Sequence, residues 1–274
     1  MKLQFLGTAA AEGIPAIWCE CEVCRKAREL RGKEIRRRCS YLIDNDTIVD
    51  YGPDGYWQSV EFGIDQTKIK RVLFTHPHED HMAPLEFLYR HSPCFSQVSK
   101  NINLMASEPA LRHFLRSTGK EFKVLNLNPV TFTGGEWVKD EDVEVLPIPA
   151  NHAPGLGPMI LVIRRGGKTL LIANDTGLLF ESSWKMLEGV KIDTAVIEST
   201  CSFAAPDLAT NHLGVNTTVK FRDTLLEMGC ITTDTPVYVN HFSHNGKHSP
   251  YDEYEPIAKK EGFITSFDGM QVEI

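Results

Sequence analysis

A short histidine-rich segment constrains this chain more than any other feature. Residues 75–81 read Thr-His-Pro-His-Glu-Asp-His and follow a short apolar run. The segment places His76, His78, Asp80 and His81 within six consecutive positions. Imidazole and carboxylate groups are common ligands of transition metals. This density of ligand-type side chains predicts two metal ions rather than one.

The composition is that of an ordinary soluble protein. Of the 274 residues, 42% are hydrophobic and 24% are charged. No linker or shift in composition interrupts the sequence, so we predict one domain over residues 1–274. No apolar run reaches the roughly 18–20 residues of a membrane helix, and the N-terminus is typical of a strand rather than a signal peptide. We therefore expect a cytoplasmic protein without a membrane partner. The net charge of −7 argues against a large nucleic-acid interface, because such an interface requires positive charge.

Short β-branched runs alternate with helical patterns along the chain. The predicted strands are Leu3–Leu6, Ser40–Ile43, Thr47–Asp50, Arg71–Phe74, Ile102–Met105, Val143–Ile148, Met159–Ile163, Thr169–Ile172, Thr194–Ile197 and Val237–Val239. The predicted helices are Glu22–Leu30, Ala83–Tyr89, Pro109–Arg116, Leu178–Leu187, Asn216–Met228 and Tyr251–Lys260. The mixture predicts an α/β architecture in which helices cover sheets.

Ligand-type residues recur at the ends of predicted strands. They are Asp50, His76, His152, Asp175 and His241. Loops at strand ends are where a rigid scaffold presents catalytic groups. Taken singly, a histidine or aspartate at such a place is more often a core or turn residue. Only the whole set predicts a metal site. Three further histidines lack this support and are predicted not to bind metal: His91, His113 and His248.

With the pattern His-x-His-x-Asp-His complete, the chain resembles the metallo-β-lactamase superfamily over nearly its whole length. The resemblance implies a four-layer αββα sandwich. It implies that a first metal is held by His76, His78 and His152. It implies that a second is held by Asp80, His81 and His241, with Asp175 between the two. Asp50 matches an aspartate that supports the ligand loop without binding metal.

Two such metals define the expected chemistry. Cations about 3.5–4 Å apart lower the pKa of a shared water toward neutrality, so that a bridging hydroxide can act as the nucleophile. The chain has no Gly-x-Ser-x-Gly segment that would supply a serine nucleophile instead. Histidine and aspartate ligands suit zinc, manganese or iron. We expect manganese or zinc as the two catalytic cofactors.

A second group of ligand-type residues lies near the N-terminus. Cys19, Cys21 and Cys24 lack a fourth partner for a closed zinc site, and His244 is the candidate. The cysteines and the opening Phe5–Thr8 resemble the PhnP branch of the superfamily, the phosphoribosyl cyclic phosphodiesterases, which implies one structural zinc on a loop around residues 19–24. A redox pair or unligated thiols are the alternatives. The scattered Cys39, Cys94, Cys201 and Cys230 are predicted to be buried apolar residues.

The leading functional hypothesis is a phosphodiesterase that hydrolyses a small cyclic phosphate ester, such as a phosphoribosyl cyclic phosphate. His212 follows the predicted strand Thr194–Ile197 and matches a substrate-side histidine of the PhnP branch. It would bind phosphate or protonate the leaving alkoxide, and it is the expected catalytic residue together with Asp80. Thr200 could line the pocket. The resemblance also suggests a homodimer. The charged segment Arg36–Arg38 is predicted to be a solvated face rather than a phosphate anchor.

Two other hypotheses remain open from the sequence. Thioesterases of the glyoxalase II type share the same ligands, so a thioester or ester hydrolase is the main alternative. A binding protein with a purely structural metal is the third. The complete set of ligands argues against it, because a structural zinc site is closed with four.

Overall fold

Fourteen strands form the framework of the computed structural model, which describes residues 1–247 and 249–274. In chain order the strands are β1 (Lys2–Gly7), β2 (Ser40–Ile43), β3 (Thr47–Val49), β4 (Arg71–Leu73), β5 (Ile102–Ser107), β6 (Leu127–Phe132), β7 (Val138–Asp140), β8 (Val143–Pro149), β9 (Met159–Arg165), β10 (Lys168–Ala173), β11 (Thr194–Glu198), β12 (Val237–Asn240), β13 (Ile264–Thr265) and β14 (Gln271–Glu273). They make two seven-stranded sheets, ordered β14-β1-β2-β3-β4-β5-β6 and β13-β12-β11-β10-β9-β8-β7.

Helices occupy the outer surfaces of both sheets. The α-helices are α1 (Glu22–Leu30), α2 (Gly55–Glu61), α3 (Glu108–Thr118), α4 (Glu181–Lys185), α5 (Val215–Glu227) and α6 (Tyr251–Lys260). Short 3₁₀ helices span Gly32–Glu34, Gln66–Lys68, Pro84–Arg90 and Phe122–Leu125. No helix of residues 1–247 or 249–274 combines the length and the apolar character that crossing a membrane requires.

The sheets pack face to face through an apolar layer, and each sheet buries its other face under helices. Phe5 and Tyr41 of the first sheet share the inter-sheet core with Leu161 of the second. Phe114 of α3 covers the first sheet, and Phe221 of α5 covers the second. The predicted four-layer αββα sandwich is therefore confirmed.

Strand β9 illustrates why the central strands were readable from sequence. Its odd and even residues face different apolar layers, since Ile160 lies in the helix-covered core and Leu161 in the inter-sheet core. Burial on both faces requires a continuous apolar run rather than an alternating one. The turn to β10 uses Gly166 and Gly167, whose φ angles of 57° and 75° favour glycine.

All ten predicted strands are present, with ends that differ by at most two residues. The predicted helix Ala83–Tyr89 is a 3₁₀ helix at Pro84–Arg90, and only the central part of Leu178–Leu187 is helical. The sequence prediction missed helix α2 and four strands. The missed strands are β6, β7, β13 and β14. All four are the outermost strands of their sheets, where few apolar positions mark a strand.

Two predictions about individual residues were wrong. Arg36 is buried rather than solvated: its guanidinium lies 4.2 Å from the ring centroid of Phe242 and donates a hydrogen bond of 2.8 Å to Thr8 Oγ1. The apolar stem and planar head of arginine allow such stacking on an aromatic ring. Of the four scattered cysteines that were predicted to be buried, Cys94 is exposed, because the loop after the 3₁₀ helix Pro84–Arg90 leaves it on the surface, and Cys201 is only half-buried.

The topology brings the carboxyl ends of several strands to one edge of the sandwich. Strands β3, β4 and β5 run parallel to one another in the first sheet, and β10, β11 and β12 do so in the second. Chain segments that leave these strands therefore meet at the same edge. The ligand-type residues that follow the strands lie there.

Candidate metal centre

Three of the ligand-type residues leave their strands in a left-handed backbone conformation. Asp50, Asp175 and His241 have φ angles of 59°, 46° and 61°. Non-glycine residues rarely adopt positive φ, and those that do often cluster at functional sites. The backbone turns sharply at each of these residues and directs it toward the edge between the sheets.

Three histidines converge in the first part of this site. His76 Nε2 lies 2.8 Å from His78 Nδ1, and His152 Nε2 lies 3.1 Å from the same atom. Burial lowers the pKa of His76 well below its ordinary value and also lowers the pKa of His152. Neutral imidazole is the form that binds a metal.

Two carboxylates and two histidines converge beside them. Asp175 Oδ2 lies 2.6 Å from His81 Nε2 and 3.0 Å from His241 Nε2. Asp80 Oδ2 lies 3.0 Å from His81 Nε2. The other oxygen of Asp175 faces the first group, 3.7 Å from His152 Nε2. We call these seven residues the His/Asp centre: His76, His78, Asp80, His81, His152, Asp175 and His241.

Hydrogen bonds at the Nδ1 atoms, on the side away from the centre, fix the orientation of three of the imidazoles. His81 Nδ1 donates to Asp50 Oδ2 at 2.6 Å, and His152 Nδ1 donates to the carbonyl of Asn211 at 3.0 Å. His241 Nδ1 lies 2.8 Å from Thr200 Oγ1. In each ring the Nε2 atom is thereby left for the interior of the site. Partners of this kind fix the tautomer of metal-binding histidines.

Asp50 binds more than one part of the ligand segment. Its Oδ1 accepts a hydrogen bond of 2.8 Å from the backbone N–H of Thr75, and its Oδ2 accepts one of 2.8 Å from the hydroxyl of Thr75. With the bond to His81, these contacts hold both ends of the ligand segment to one buried carboxylate. Asp50 therefore lies behind the His/Asp centre rather than in it.

The donor set fits divalent cations. Among residues 1–247 and 249–274, His81 Nε2, Asp175 Oδ2 and His241 Nε2 are buried without a hydrogen-bond partner, although they lie close together. Burial lowers the pKa of His81, but the charges of Asp80 and Asp175 outweigh it and raise the pKa well above the ordinary value. A site that attracts a proton this strongly also attracts a metal cation.

A cavity of about 430 Å³ opens onto the His/Asp centre. His212 lines it, and its Nδ1 donates to Glu198 Oε1 at 3.2 Å and lies 3.6 Å from Asp175 Oδ1. Burial lowers the pKa of His212, but the charge and the hydrogen bond of Glu198 outweigh it and raise the pKa to about 9. Thr200 also lines the cavity.

Glu198 was not among the residues that the sequence predicted to be functional. Its carboxylate is fully buried at the end of β11. Besides His212, it accepts hydrogen bonds from the backbone N–H groups of Thr176, at 2.7 Å, and Leu213, at 3.0 Å. These bonds join the loop after β10 to the loop after β11 beside the cavity. The sequence signal that could have identified it is a glutamate at the end of an apolar strand, because a buried charge requires polar partners.

The three N-terminal cysteines and His244 form a separate group, which we call the Cys/His cluster. The Sγ atoms of Cys19 and Cys21 lie 3.4 Å and 3.5 Å from His244 Nδ1, and a ligand atom of Cys24 lies within 4.8 Å of the others. Tetrahedral zinc with sulfur and nitrogen ligands gives an S–N separation of about 3.5 Å. Three cysteines and a histidine are a common donor set for zinc, so the cluster fits that ion.

Two of the three histidines that were predicted not to bind metal lie within the described residues, away from the His/Asp centre. His91 ends the 3₁₀ helix Pro84–Arg90, and His113 lies on α3 with its Nε2 3.2 Å from Ser117 Oγ. Within the part of the chain that the structure describes, neither belongs to a group of metal-type ligands. His248 lies outside the described residues.

A family model described as metallo-beta-lactamase superfamily matches residues 40–195. This match covers more than half of the chain and includes the histidine-rich segment. The chain belongs to the metallo-β-lactamase superfamily. It is accordingly a metal-dependent hydrolase, and divalent metals, typically zinc, are its expected cofactors.

Solved structures of the superfamily share the fold over the whole chain. A diphosphatase of the PhnP family superimposes with a TM-score of 0.74 at 21% identity, covering 100% of this chain and 96% of that one. The Zn²⁺-bound PqqB of Methylobacterium extorquens has a TM-score of 0.74 at 16% identity and covers 100% of both chains. At these identities the likeness concerns the fold alone.

One curated relative matches over a short region. The octanoyltransferase of Porphyromonas gingivalis is 35% identical over 92 residues, which are 32% of this chain and 18% of that protein. The chain thus matches only about a fifth of the length of this relative. This partial match alone does not assign an activity to the chain.

Proposed function

We propose that this protein is a binuclear phosphodiesterase that hydrolyses a small cyclic phosphate ester. The observation that carries the proposal is the placement of His212, anchored by a buried glutamate, on the cavity beside the His/Asp centre. The resemblance of the N-terminal cysteines to the PhnP branch supports the same substrate class.

The proposal assigns the ligands in two sets. His76, His78 and His152 would hold one cation, and Asp80, His81 and His241 the other, with one oxygen of Asp175 facing each set. Two divalent cations held there supply a hydroxide at neutral pH and polarise a phosphoryl oxygen. We propose manganese or zinc in this role.

His212 is proposed to protonate the leaving alkoxide. Its Nδ1 is engaged by Glu198, which leaves Nε2 as the atom that delivers a proton into the cavity. An alkoxide is a poor leaving group and benefits from a general acid, whereas a thiolate leaves without one. A buried acid paired with a carboxylate therefore favours a phosphate ester of an alcohol over a thioester.

The cavity favours a small substrate. Its volume of about 430 Å³ lies in the range of small-molecule sites. Several of the residues that line it are small, among them Ala10, Ala204 and Gly246. A compact cyclic phosphate fits such a space, and the net charge of −7 gives no support to a polynucleotide substrate.

Hydrolysis of a thioester or carboxylic ester is the second candidate. The short match to an octanoyltransferase, a protein named for acyl transfer, is the observation that favours it. The same cations would polarise an acyl carbonyl. For a thioester, whose thiolate leaves without protonation, the pairing of His212 with Glu198 has no purpose, and for a carboxylic ester the short match alone gives support, so we rank this candidate second.

The Cys/His cluster is proposed to hold one structural zinc. Its four donors close a tetrahedral site and leave no position for a substrate. His244 lies three residues after His241, so one loop would serve both metal sites. A homodimer belongs to the same proposal, and light scattering of the purified protein tests it.

A substrate comparison tests the function. Metal analysis of protein purified with intact thiols should find more than two equivalents per chain. The manganese-reconstituted enzyme should hydrolyse bis(p-nitrophenyl) phosphate and then, in a panel of cyclic sugar and nucleotide phosphates, prefer a small cyclic ester. Activity on S-lactoylglutathione alone would establish the second candidate. Inactivity on both substrates with all metals bound would contradict both hydrolytic proposals.

A further inference from the structure

A buried polar cluster lies between the two sheets, directly behind the His/Asp centre. It consists of Cys39, Tyr41, Asn174 and Asn240, and we call it the amide cluster. All four residues are at most 1% exposed. Apolar side chains of the inter-sheet core surround Cys39 and Tyr41. The chemistry proposed above uses none of the four.

The two asparagines converge on one hydroxyl and one thiol. Asn174 Nδ2 lies 2.6 Å from Tyr41 Oη, and Asn240 Nδ2 lies 2.7 Å from it. The same amide nitrogens lie 2.9 Å and 3.1 Å from Cys39 Sγ. Each amide has two N–H groups, so each can donate to both acceptors. Burial raises the pKa of Tyr41 and of Cys39, which keeps the cluster neutral.

The cluster connects the two sheets at the strands that carry the ligands. Tyr41 belongs to β2 of the first sheet, whereas Asn174 follows β10 and Asn240 ends β12 of the second. Strand β11 separates β10 from β12. Each asparagine directly precedes a residue of positive φ in the His/Asp centre, Asp175 or His241.

The separation of these two strand ends decides the geometry of the centre. Asp175 Oδ2 and His241 Nε2 lie 3.0 Å apart although their strands are not neighbours. A displacement of either end would separate the two ligand atoms. Within the described residues Asn174 Oδ1 is buried without a hydrogen-bond partner, which costs about 1–3 kcal/mol, so stability of the core alone does not explain an asparagine here.

We propose that the amide cluster positions Asp175 and His241 for a common cation by holding the ends of β10 and β12 at a fixed spacing. The inference rests on the metal centre of the proposed function but not on its substrate. Cys39 and Tyr41 act as shared acceptors, and Asn174 and Asn240 transmit their position to the next residue along the chain.

The test compares two isosteric substitutions. Tyr41→Phe removes the shared hydroxyl, and Tyr238→Phe is the control, because Tyr238 lies in the same inter-sheet core on β12 and makes no hydrogen bond through its hydroxyl within the described chain. Zinc is withdrawn from the purified holoproteins with a chromogenic chelator, and the affinity is taken from the equivalents bound beyond the Cys/His zinc, which every variant shares. Loss of a partner behind a metal ligand typically weakens binding by about 10–100-fold. Because Tyr41 contacts the residues that precede the ligands rather than the ligands themselves, we expect a loss at the lower end of that range for Tyr41→Phe and less than twofold for Tyr238→Phe.

Two further variants complete the design. Cys39→Ser retains a hydrogen-bond acceptor and should bind zinc nearly as the wild type does. Asn174→Leu retains the volume and removes the donor, so it should reproduce the loss if Tyr41→Phe does not fold. A Tyr41→Phe or Asn174→Leu protein that melts earlier but binds zinc with wild-type affinity would overturn the proposal. Because the readout is metal affinity, failure of the phosphodiester substrates would not affect the result.

Discussion

The His/Asp centre and the Cys/His cluster both take a ligand from the loop after β12, yet they differ in construction. The centre is made of residues that follow strands, it is held by hydrogen bonds from behind, and it opens onto a cavity. The Cys/His cluster lies on a loop before and within α1, and its four donors face one another. An open site built on strands suits catalysis, whereas a closed site on a loop suits structure.

The largest effect is expected at the His/Asp centre. Asp80→Ala should lower turnover by roughly 10³-fold, because a bound cation contributes several kcal/mol of transition-state stabilisation. The fold should remain intact, since Asp80 lies at the rim of a cavity rather than in the core. Steady-state kinetics and circular dichroism measure the two effects. Glu79→Ala, at the exposed neighbouring residue, is the control, and full activity of Asp80→Ala would contradict the ligand assignment.

Substitution in the Cys/His cluster should lower the folding stability and leave turnover nearly unchanged. Cys21→Ser should remove one zinc equivalent and on the order of 3 kcal/mol of folding stability, because the site joins chain segments that are far apart in sequence. This corresponds to a fall in Tm of roughly 6–12 °C. Turnover per folded molecule below the transition should change little.

The exposed Cys94 gives the matched control for that variant, because Cys94→Ser removes a thiol outside the cluster. Calorimetry and metal analysis of the two variants should therefore differ. Equal Tm values for Cys21→Ser and the wild type, with the same zinc content, would contradict a structural zinc and favour unligated thiols.

The effect of substituting His212 should depend on whether the leaving group is an alkoxide or p-nitrophenolate. His212→Ala should lower turnover of a cyclic alkyl phosphate by about 10²-fold, the lower end of the range for a general acid. Turnover of bis(p-nitrophenyl) phosphate should fall much less, because p-nitrophenolate leaves without protonation. His113→Ala is the control, since His113 lies outside the His/Asp centre. Equal losses on both substrates would assign His212 to phosphate binding instead of proton transfer.

Features that depend on adjacent residues could be predicted from the sequence, whereas features that depend on distant residues could not. The ligand segment was readable because its residues are adjacent, and central strands such as β9 were readable because burial on both faces requires an apolar run. The burial of Arg36 was not readable, because it depends on Phe242, which is distant in the sequence. Helix α2 was missed because Tyr56 and Trp57 are exposed, so apolar residues there do not mark a buried face.

Glu198 was missed for the same reason as Arg36, and it provides the smallest predicted effect. Its partners come from two loops, those after β10 and β11, which only the fold brings together. Glu198→Gln retains the volume but removes the charge that raises the pKa of His212. Turnover of the cyclic phosphate should fall by roughly tenfold, as expected for loss of one charge-assisted hydrogen bond of about 1.5 kcal/mol.

The pH profile separates this role from simple packing. A general acid must be protonated, so activity declines as the pH rises through the pKa of His212. Because Glu198→Gln lowers that pKa, the alkaline limb of the kcat profile should move to lower pH, whereas Glu79→Gln at the exposed neighbour of Asp80 should leave it unchanged. An alkaline limb at the same pH in Glu198→Gln and the wild type would show that Glu198 only holds the loops together.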